Sequence, residues 1–232
     1  MGQTLMNFSR RRCLLAAAKS IITLDSLVFV VVVLITACVF KPIDYSRVPV
    51  LSVSQSGFCQ WRSCHTALIR VCDTWLAAVN QTQLTGAVFV DFNKAFDLVS
   101  HTILLHKLSV YLQNSSTVSH LKSYLQDRIQ CVFLNGNYST KGVLKCGVPQ
   151  GSVLGPLLFS IFINDLPLHI YTLNTKVVSD LFTDDNSIHS RGTNVESVQR
   201  SLQEGLNDVS KWCNQNRVVV HPRKTKTERA WY

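Results

Sequence analysis

Two adjacent carboxylates, Asp184 and Asp185, follow the apolar run Leu181-Phe182 and precede a second strand-like run. Neighbouring acids at a strand end repel each other, and each raises the pKa of the other when the pair is partly buried. A divalent metal ion is the common way to keep both side chains ionised. The pair therefore predicts a metal site, for which the sequence offers a third carboxylate at Asp91 and a glycine-rich turn around Gln150.

The composition indicates a folded, basic protein. Hydrophobic residues make up 47% and charged residues 16% of the 232 positions, which excludes a disordered chain and allows one domain, with or without an extension. Lysine and arginine exceed aspartate and glutamate to leave a net charge of +9. This excess favours a polyanionic partner, and nucleic acid and an anionic membrane surface both remain open. No signal for an obligate protein partner is evident.

The cysteines show neither a disulfide framework nor a metal-ligand pattern, because no pair has the C-x-x-C spacing. We therefore expect reduced thiols, mostly in the core of an intracellular protein. The eight are Cys13, Cys38, Cys59, Cys64, Cys72, Cys131, Cys146 and Cys213.

Residues 1–54 are predicted to form an N-terminal extension and linker, and residues 55–232 a second domain. Basic residues, including Arg10-Arg11-Arg12, precede an uncharged apolar run over residues 26–40. This run has 15 residues, fewer than the about 20 that a membrane-spanning helix needs. A signal anchor, the core of a signal peptide and a buried strand all remain open, and the basic flank favours membrane association with a cytoplasmic N-terminus.

Hydrophobic periodicity predicts the elements that position the candidate carboxylates. Predicted helices cover Thr66–Val79, Lys94–Tyr111, Val118–Asp127 and Leu157–Ile163, and a further helix starts at a capping box, Thr193-Asn194-Val195-Glu196, and carries an apolar stripe as far as Trp212. Predicted strands cover Gly86–Phe92, Cys131–Leu134, Tyr138–Cys146, Lys176–Phe182, Ser187–His189 and Arg217–His221.

Two hairpins stand out among these strands. Asn135-Gly136-Asn137 lies between two strand-like runs and predicts a tight turn, and the Asp184-Asp185 pair is placed at the tip of the second hairpin. Helices that alternate with hairpins predict an α+β fold, an antiparallel sheet with helices packed on one face. Such a fold can bring Asp91 and Asp184 together at neighbouring strand ends.

Three motifs around these residues resemble, in order, motifs A, B and C of reverse transcriptases. They are Asp91-Phe92-Asn93-Lys94-Ala95-Phe96-Asp97, Gly147-Val148-Pro149-Gln150-Gly151-Ser152-Val153-Leu154-Gly155-Pro156 and Phe182-Thr183-Asp184-Asp185. Other segments resemble the non-LTR (LINE-type) retrotransposon branch, namely Gln55-Ser56-Gly57-Phe58, Ser123-Tyr124-Leu125, Ile163-Asn164-Asp165-Leu166-Pro167 and Lys224-Thr225-Lys226. The resemblance covers residues 55–226.

The resemblance implies a reverse-transcriptase palm and an RNA-directed DNA polymerase, located in the nucleus or cytoplasm, that uses an RNA template, a DNA primer and deoxynucleoside triphosphates. It also implies two Mg²⁺ ions, for which Mn²⁺ is an alternative, bridged by Asp91 and Asp184 with Asp185 as a supporting acid. Lys224 matches the lysine that protonates the pyrophosphate leaving group, although a solvated surface lysine explains it equally well.

Three further residues match substrate contacts of the family. Phe96 matches the residue that closes against the sugar 2′-position and selects deoxynucleotides, and it also fits a helix core. Gln150 and Gly151 match contacts to the nucleotide and template, since glycine lets backbone approach a base pair and an amide can hydrogen-bond to it. Basic residues that are candidates for phosphate contacts are Arg62, Arg128, Lys141, Lys145, Arg217, Arg223 and Lys226.

The chain also departs from the family pattern. Thr183 stands where the family has a small residue, and Asp180 interrupts a strand that should be buried, so its charge is expected to face solvent or to cost packing. The fingers are expected to be incomplete, and no thumb or endonuclease segment is expected within the chain. These departures leave an alternative function open, a degenerate, inactive nucleic-acid-binding product of an element, with a membrane anchor if residues 26–40 insert.

Overall fold

The computed structural model describes residues 51–59, 61–112, 114–173 and 176–230. The apolar run over residues 26–40 lies outside these residues, as do Cys13 and Cys38, so the membrane prediction and the division at residue 54 stay predictions. In the described part of the chain, no helix has both the length and the apolar character to cross a membrane.

A four-stranded antiparallel sheet forms the centre of the fold. Its strands lie in the order β6-β7-β1-β8, with β1 at Leu84–Val90, β6 at Val177–Phe182, β7 at Asp185–Gly192 and β8 at Lys226–Ala230. β1 pairs with β7 on one side and with β8 on the other. The predicted α+β architecture with an antiparallel sheet is therefore confirmed.

Six helices surround this sheet in the described residues. They are α1 at Cys64–Asn80, α2 at His101–Leu112, α3 at Ser115–Leu125, α4 at Gly155–Ile163, α5 at Leu166–Leu173 and α6 at Val195–Asn216. The core lies between the sheet and the helices, and Trp212, Phe159 and Phe162 are among its largest fully buried side chains. α1 lies against the opposite face of the sheet, where Trp75 makes an edge contact with His189 of β7.

Helix α6 shows how the sequence dictates the packing. Val198, Leu202, Val209 and Trp212 repeat at helical spacing, and all four are buried. Gly86 of β1 leaves room for this stripe, because a Cβ there would overlap the side chains of Val198 and Leu202. The predicted capping box is displaced by one residue, since Asn194 is the N-cap and accepts a hydrogen bond from Ser197 N.

Several predicted boundaries are wrong. The predicted helix Lys94–Tyr111 begins only at His101, because Lys94 has a left-handed φ of 47° and residues 93–98 form turns. Arg217 also has a left-handed φ, 58°, and ends α6, so only an isolated bridge from Val220 to Phe92 remains of the predicted strand 217–221. Helix α5 and strand β8 were not predicted.

The segment between α3 and α4 forms two short antiparallel pairs. β2 (Ile129–Gln130) pairs with β5 (Gly142–Val143), and β3 (Phe133–Leu134) pairs with β4 (Asn137–Tyr138). Asn135 and Gly136 form the turn with φ values of 50° and 82°, as expected for an Asn-Gly hairpin. The predicted hairpin is confirmed.

The predicted core location of the cysteines is wrong for the described residues. All six described cysteines are free, but only Cys213 is buried, and Cys64, Cys72, Cys131 and Cys146 are exposed. Burial raises the pKa of the Cys213 thiol to about 12, so this side chain is an uncharged member of the core.

Candidate active site

The register of the sheet brings the predicted carboxylates to one edge. Val90 pairs with Asn186, so Asp91 follows β1 beside Asp185, the first residue of β7. Burial raises the pKa of Asp185, the charges of Asp184 and Asp91 raise it further, and Lys224 opposes them. Asp185 is therefore close enough to the other two predicted carboxylates, Asp91 and Asp184, for their charges to act on it.

Lys224 reaches this edge through the segment that follows α6. His221 N donates a hydrogen bond of 2.8 Å to Asp91 O, and Asn93 N donates one of 2.7 Å to Val219 O. These bonds place the Lys224 ammonium 3.7 Å from Asp91 Oδ2, with 64% of the lysine side chain exposed. The exposed position leaves the ammonium free to meet an anionic ligand as well as Asp91.

The donor chemistry at this edge suits a divalent cation. Carboxylate oxygens are the ligands that Mg²⁺ prefers, and a bound cation would relieve the repulsion that raises the Asp185 pKa. No group of three or more His, Cys, Asp or Glu side chains within the described residues is gathered closely enough to hold a metal ion.

The turn that carries Asp184 is held from outside the sheet. Thr183 has a left-handed φ of 62°, a conformation that is uncommon for a β-branched residue. The buried Gln55 side chain accepts a hydrogen bond of 3.0 Å from Thr183 N and donates one of 3.4 Å to Thr183 O. Sequence reasoning noted Gln55 only as part of a motif, and the pattern gave no sign that its amide contacts this turn.

The expectation for Asp180 is wrong. Its side chain is only 11% exposed, yet its carboxylate is paired with Arg70 of α1 and lies 2.6 Å from His189 Nε2. The Asp180 carboxylate is therefore both packed and paired, because α1 supplies a guanidinium beside it. No local sequence pattern could reveal this distant partner. The pairing anchors α1 to β6 and β7.

The predicted substrate-contact residues Phe96, Gln150 and Gly151 form a second group, distinct from the carboxylates and Lys224. The ring of Phe96 stacks on Phe159 with centroids 4.3 Å apart, and it lies in the turn before α2 instead of in a helix. Val148 N donates a 2.9 Å hydrogen bond to Phe96 O, and the exposed Gln150 donates one of 3.5 Å to Asp97. Gly151 has a φ of 79°, with open space where a Cβ would be. The turn at residues 93–98 directly follows Asp91 and makes hydrogen bonds to the segment of Gln150, so it connects the carboxylates with the substrate-contact residues.

Comparison with known proteins decides the family. A model of the family described as reverse transcriptase (RNA-dependent DNA polymerase) matches residues 32–230. The chain belongs to this family. The match includes the three candidate carboxylates, Phe96, Gln150 and Lys224.

The relatives of this reverse transcriptase chain confirm the retrotransposon resemblance. A probable RNA-directed DNA polymerase from transposon BS of Drosophila melanogaster is 36% identical over 179 residues, which are 76% of this chain and 20% of that protein. The RNA-directed DNA polymerase from mobile element jockey of the same species is 30% identical over 73% of this chain and 19% of its own length. The chain therefore spans about a fifth of these relatives.

Solved structures confirm the fold. Apo telomerase from Candida tropicalis, truncated from its C-terminal domain, superposes with a TM-score of 0.59 over 77% of this chain and 36% of that chain. A telomerase from the same species in complex with an RNA fragment gives a TM-score of 0.58 over 90% of this chain and 34% of that chain. The identities of 14% and 13% limit this likeness to the fold.

Proposed function

We propose that this chain carries the palm catalytic centre of an RNA-directed DNA polymerase of a non-LTR retrotransposon. One observation carries the proposal: Asp91 at the end of β1 lies beside Asp184-Asp185 at the start of β7, and the Lys224 ammonium lies 3.7 Å from Asp91 Oδ2, although these three segments are far apart in the sequence. Family membership and the named relatives support the same activity.

In this proposal, Asp91 and Asp184 hold the catalytic cations and Asp185 supports them. Bound Mg²⁺, or Mn²⁺ in its place, would lower the pKa of the primer 3′-hydroxyl and neutralise the negative charge of the phosphates. Lys224, whose ammonium lies 3.7 Å from Asp91 Oδ2, would give a proton to the leaving pyrophosphate. In this proposal, the carboxylates act through the cations on the attacking primer hydroxyl, and the ammonium acts on the leaving pyrophosphate.

The second group of residues is proposed to recognise the substrates, which are an RNA template, a DNA primer and deoxynucleoside triphosphates. Phe96 would exclude a ribose 2′-hydroxyl, and its stacking on Phe159 fixes the ring for that role. Gln150 is exposed and Gly151 leaves open space, so amide and backbone are both accessible to a base pair. Substrate specificity would then depend on the turns at residues 93–98 and 147–154.

Primer extension on an RNA template with Mg²⁺ tests the proposal. The full chain should extend the primer, and Asp184→Asn should lower kcat by about 100-fold or more, because it removes a metal-binding charge. Asp73→Asn, on the exposed face of α1, is the matched control and should leave the rate unchanged. A folded wild-type chain without activity would refute autonomous catalysis.

A second candidate function is nucleic-acid binding without polymerisation. It is favoured by the net charge of +9. Salt-dependent binding of a primer–template duplex without extension at any Mg²⁺ or Mn²⁺ concentration would establish it, and a chain that does not bind the duplex would exclude it.

Membrane association through residues 26–40 is a separate proposal that rests on the sequence alone. Alkaline carbonate extraction of membranes that contain the tagged full chain tests it. Retention in the membrane pellet is expected if the segment inserts, and release into the supernatant would rule out integral insertion.

A further inference from the structure

The turn between β6 and β7 has a conformation that requires support. Phe182 pairs with Asp185, so Thr183 and Asp184 are the two turn residues. Thr183 occupies the left-handed region with a φ of 62°, where glycine is the residue usually found in such hairpins. A β-branched residue persists in this region only where its surroundings hold it there.

Gln55 supplies that support with three hydrogen bonds from one side chain. Its Oε1 accepts from Thr183 N at 3.0 Å and from Gly57 N at 2.7 Å, and its Nε2 donates to Thr183 O at 3.4 Å. The residue is fully buried, with 0% of its surface exposed. Both backbone groups of Thr183 are therefore fixed by a single amide that has no access to solvent.

The segment around Gln55 is itself fastened to the sheet. Ser56 N donates to Leu181 O at 2.8 Å and Leu181 N donates to Ser54 O at 2.9 Å, which makes a parallel bridge along β6. The guanidinium of Arg62 donates to Gln55 O, and that of Arg70 donates to Ser54 O. The amide of Gln55 is therefore presented to Thr183 by a fixed backbone.

Gly57 also lies against Thr183. A Cβ at this position would overlap Thr183 N and Thr183 Oγ1. The close approach of the two backbones thus needs glycine at residue 57. Gln55 and Gly57 both lie against the backbone of Thr183.

We propose that Gln55 is a positioning residue that fixes the Thr183–Asp184 turn and so directs the carboxylates of Asp184 and Asp185. The proposal deepens the proposed polymerase function and rests on it for its effect on catalysis. Gln55 does not touch the reacting atoms. It acts because the peptide of Thr183 sets the direction in which the next residue leaves the turn.

Gln55→Met tests this assignment, because methionine keeps the length of the side chain and removes all three hydrogen bonds. Hydrogen–deuterium exchange of the 182–186 peptide in the full chain should accelerate by about tenfold or more, since the Thr183 amide loses its hydrogen-bond acceptor. In primer extension, kcat should fall by about tenfold or more while the KM for deoxynucleotides changes by less than about threefold.

Two further variants make the test specific. Gln203→Met makes the same chemical change on the exposed surface of α6 and should alter neither readout. Gln55→Glu keeps the acceptor for Thr183 N and should give exchange and kcat between those of Gln55→Met and the wild type. Gln55→Glu also replaces Gln55→Met as the test variant if circular dichroism shows that the methionine variant does not fold.

The outcomes are distinguishable. Equal exchange of the turn peptide in Gln55→Met and Gln203→Met would overturn the proposal, as would a turn that opens without any fall in kcat. If the wild-type chain extends no primer, the proposed polymerase function fails. The exchange comparison then decides by itself whether Gln55 fixes the turn.

Discussion

Partial burial raises the pKa of Asp185, and the nearby charges of Asp184 and Asp91 raise it further. A carboxyl group with a raised pKa in the folded state binds its proton more tightly there than in the unfolded chain. The folded state therefore loses stability as the pH rises through the pKa of Asp185. The proposed metal site thus lowers the stability of the metal-free folded state, because it brings acidic side chains close together.

We predict that Asp185→Asn raises the melting temperature slightly in metal-free buffer at neutral pH, because it removes the repulsion; solvent screening at this exposed position should keep the gain below about 1 °C. The gain should disappear as the pH falls below the ordinary aspartate pKa of 3.8, because the wild-type carboxyl is then protonated in both the folded and the unfolded state. Thermal melts across this pH range measure it. A gain that is equal at every pH would show that charge is not the cause, and Asp73→Asn is the exposed control.

Gly151 allows a residue-scale test of the proposed substrate group. Gly151 and Gly136 have similar φ values, 79° and 82°, and open space where a Cβ would be. Alanine should therefore cost about 1 kcal/mol of stability at either position. We predict that only Gly151→Ala also lowers the rate of primer extension, by about tenfold. Equal rates in Gly151→Ala and Gly136→Ala would argue against a contact at Gly151.

At the residue scale, the sequence identified acids and a lysine that the fold does bring together, because Asp91, Asp184 and Lys224 stand in motifs with recognisable chemistry. It did not identify Gln55 as a site residue, and it misjudged Asp180. Both failures have one cause: the partners of these side chains lie on distant segments, and a glutamine or an isolated aspartate carries no local signal of a distant partner.

At the scale of elements, α1 depends on a charged contact for its docking. Arg70 reaches from α1 to Asp180 of β6 and also donates to Val53 O and Ser54 O. His189 of β7 contacts the same carboxylate, and Trp75 lies against the His189 ring. The contact joins α1, β6, β7 and the segment that contains Gln55.

We predict that Arg70→Met destabilises the fold by about 2 kcal/mol, because it strips a largely buried carboxylate of its cationic partner. The 37% exposure of the Arg70 side chain lowers this figure below the cost of breaking a fully buried pair. Urea unfolding of the full chain measures the change. Arg200→Met, exposed on α6, is the matched control, and an equal loss in both variants would contradict the prediction.

Elements with strong local patterns were predictable. The stripe of α6 and the Asn135-Gly136 turn appear where periodicity and turn chemistry place them. The region after β1 was not predictable, because Lys94 adopts a left-handed conformation that interrupts an otherwise helical pattern. Strand β8 is polar and exists through its pairing with β1, a tertiary contact that hydrophobic periodicity cannot report.

At the scale of the whole molecule, the net charge of +9 is not spread evenly. Residues 128–146, which include both short hairpins, contain Arg128, Lys141 and Lys145 and no acid. Lys141 and Lys145 are exposed, and the guanidinium of Arg128 lies 5.7 Å from the centre of the Tyr124 ring. This stretch leads directly into the turn of Gln150, so its charge lies next in sequence to the proposed substrate group.

We predict that Arg128→Gln, Lys141→Gln and Lys145→Gln together weaken binding of a single-stranded RNA and reduce the slope of log K against log salt by about 2, because each phosphate contact contributes roughly 0.7. Fluorescence anisotropy at several salt concentrations measures the slope. The control replaces Arg191, Arg200 and Lys211, which are exposed on β7 and α6 and carry the same total charge. Equal slopes in the two triple variants would mean that RNA responds to the net charge alone, whereas a change confined to the first variant would place phosphate contacts on the basic stretch before Gln150.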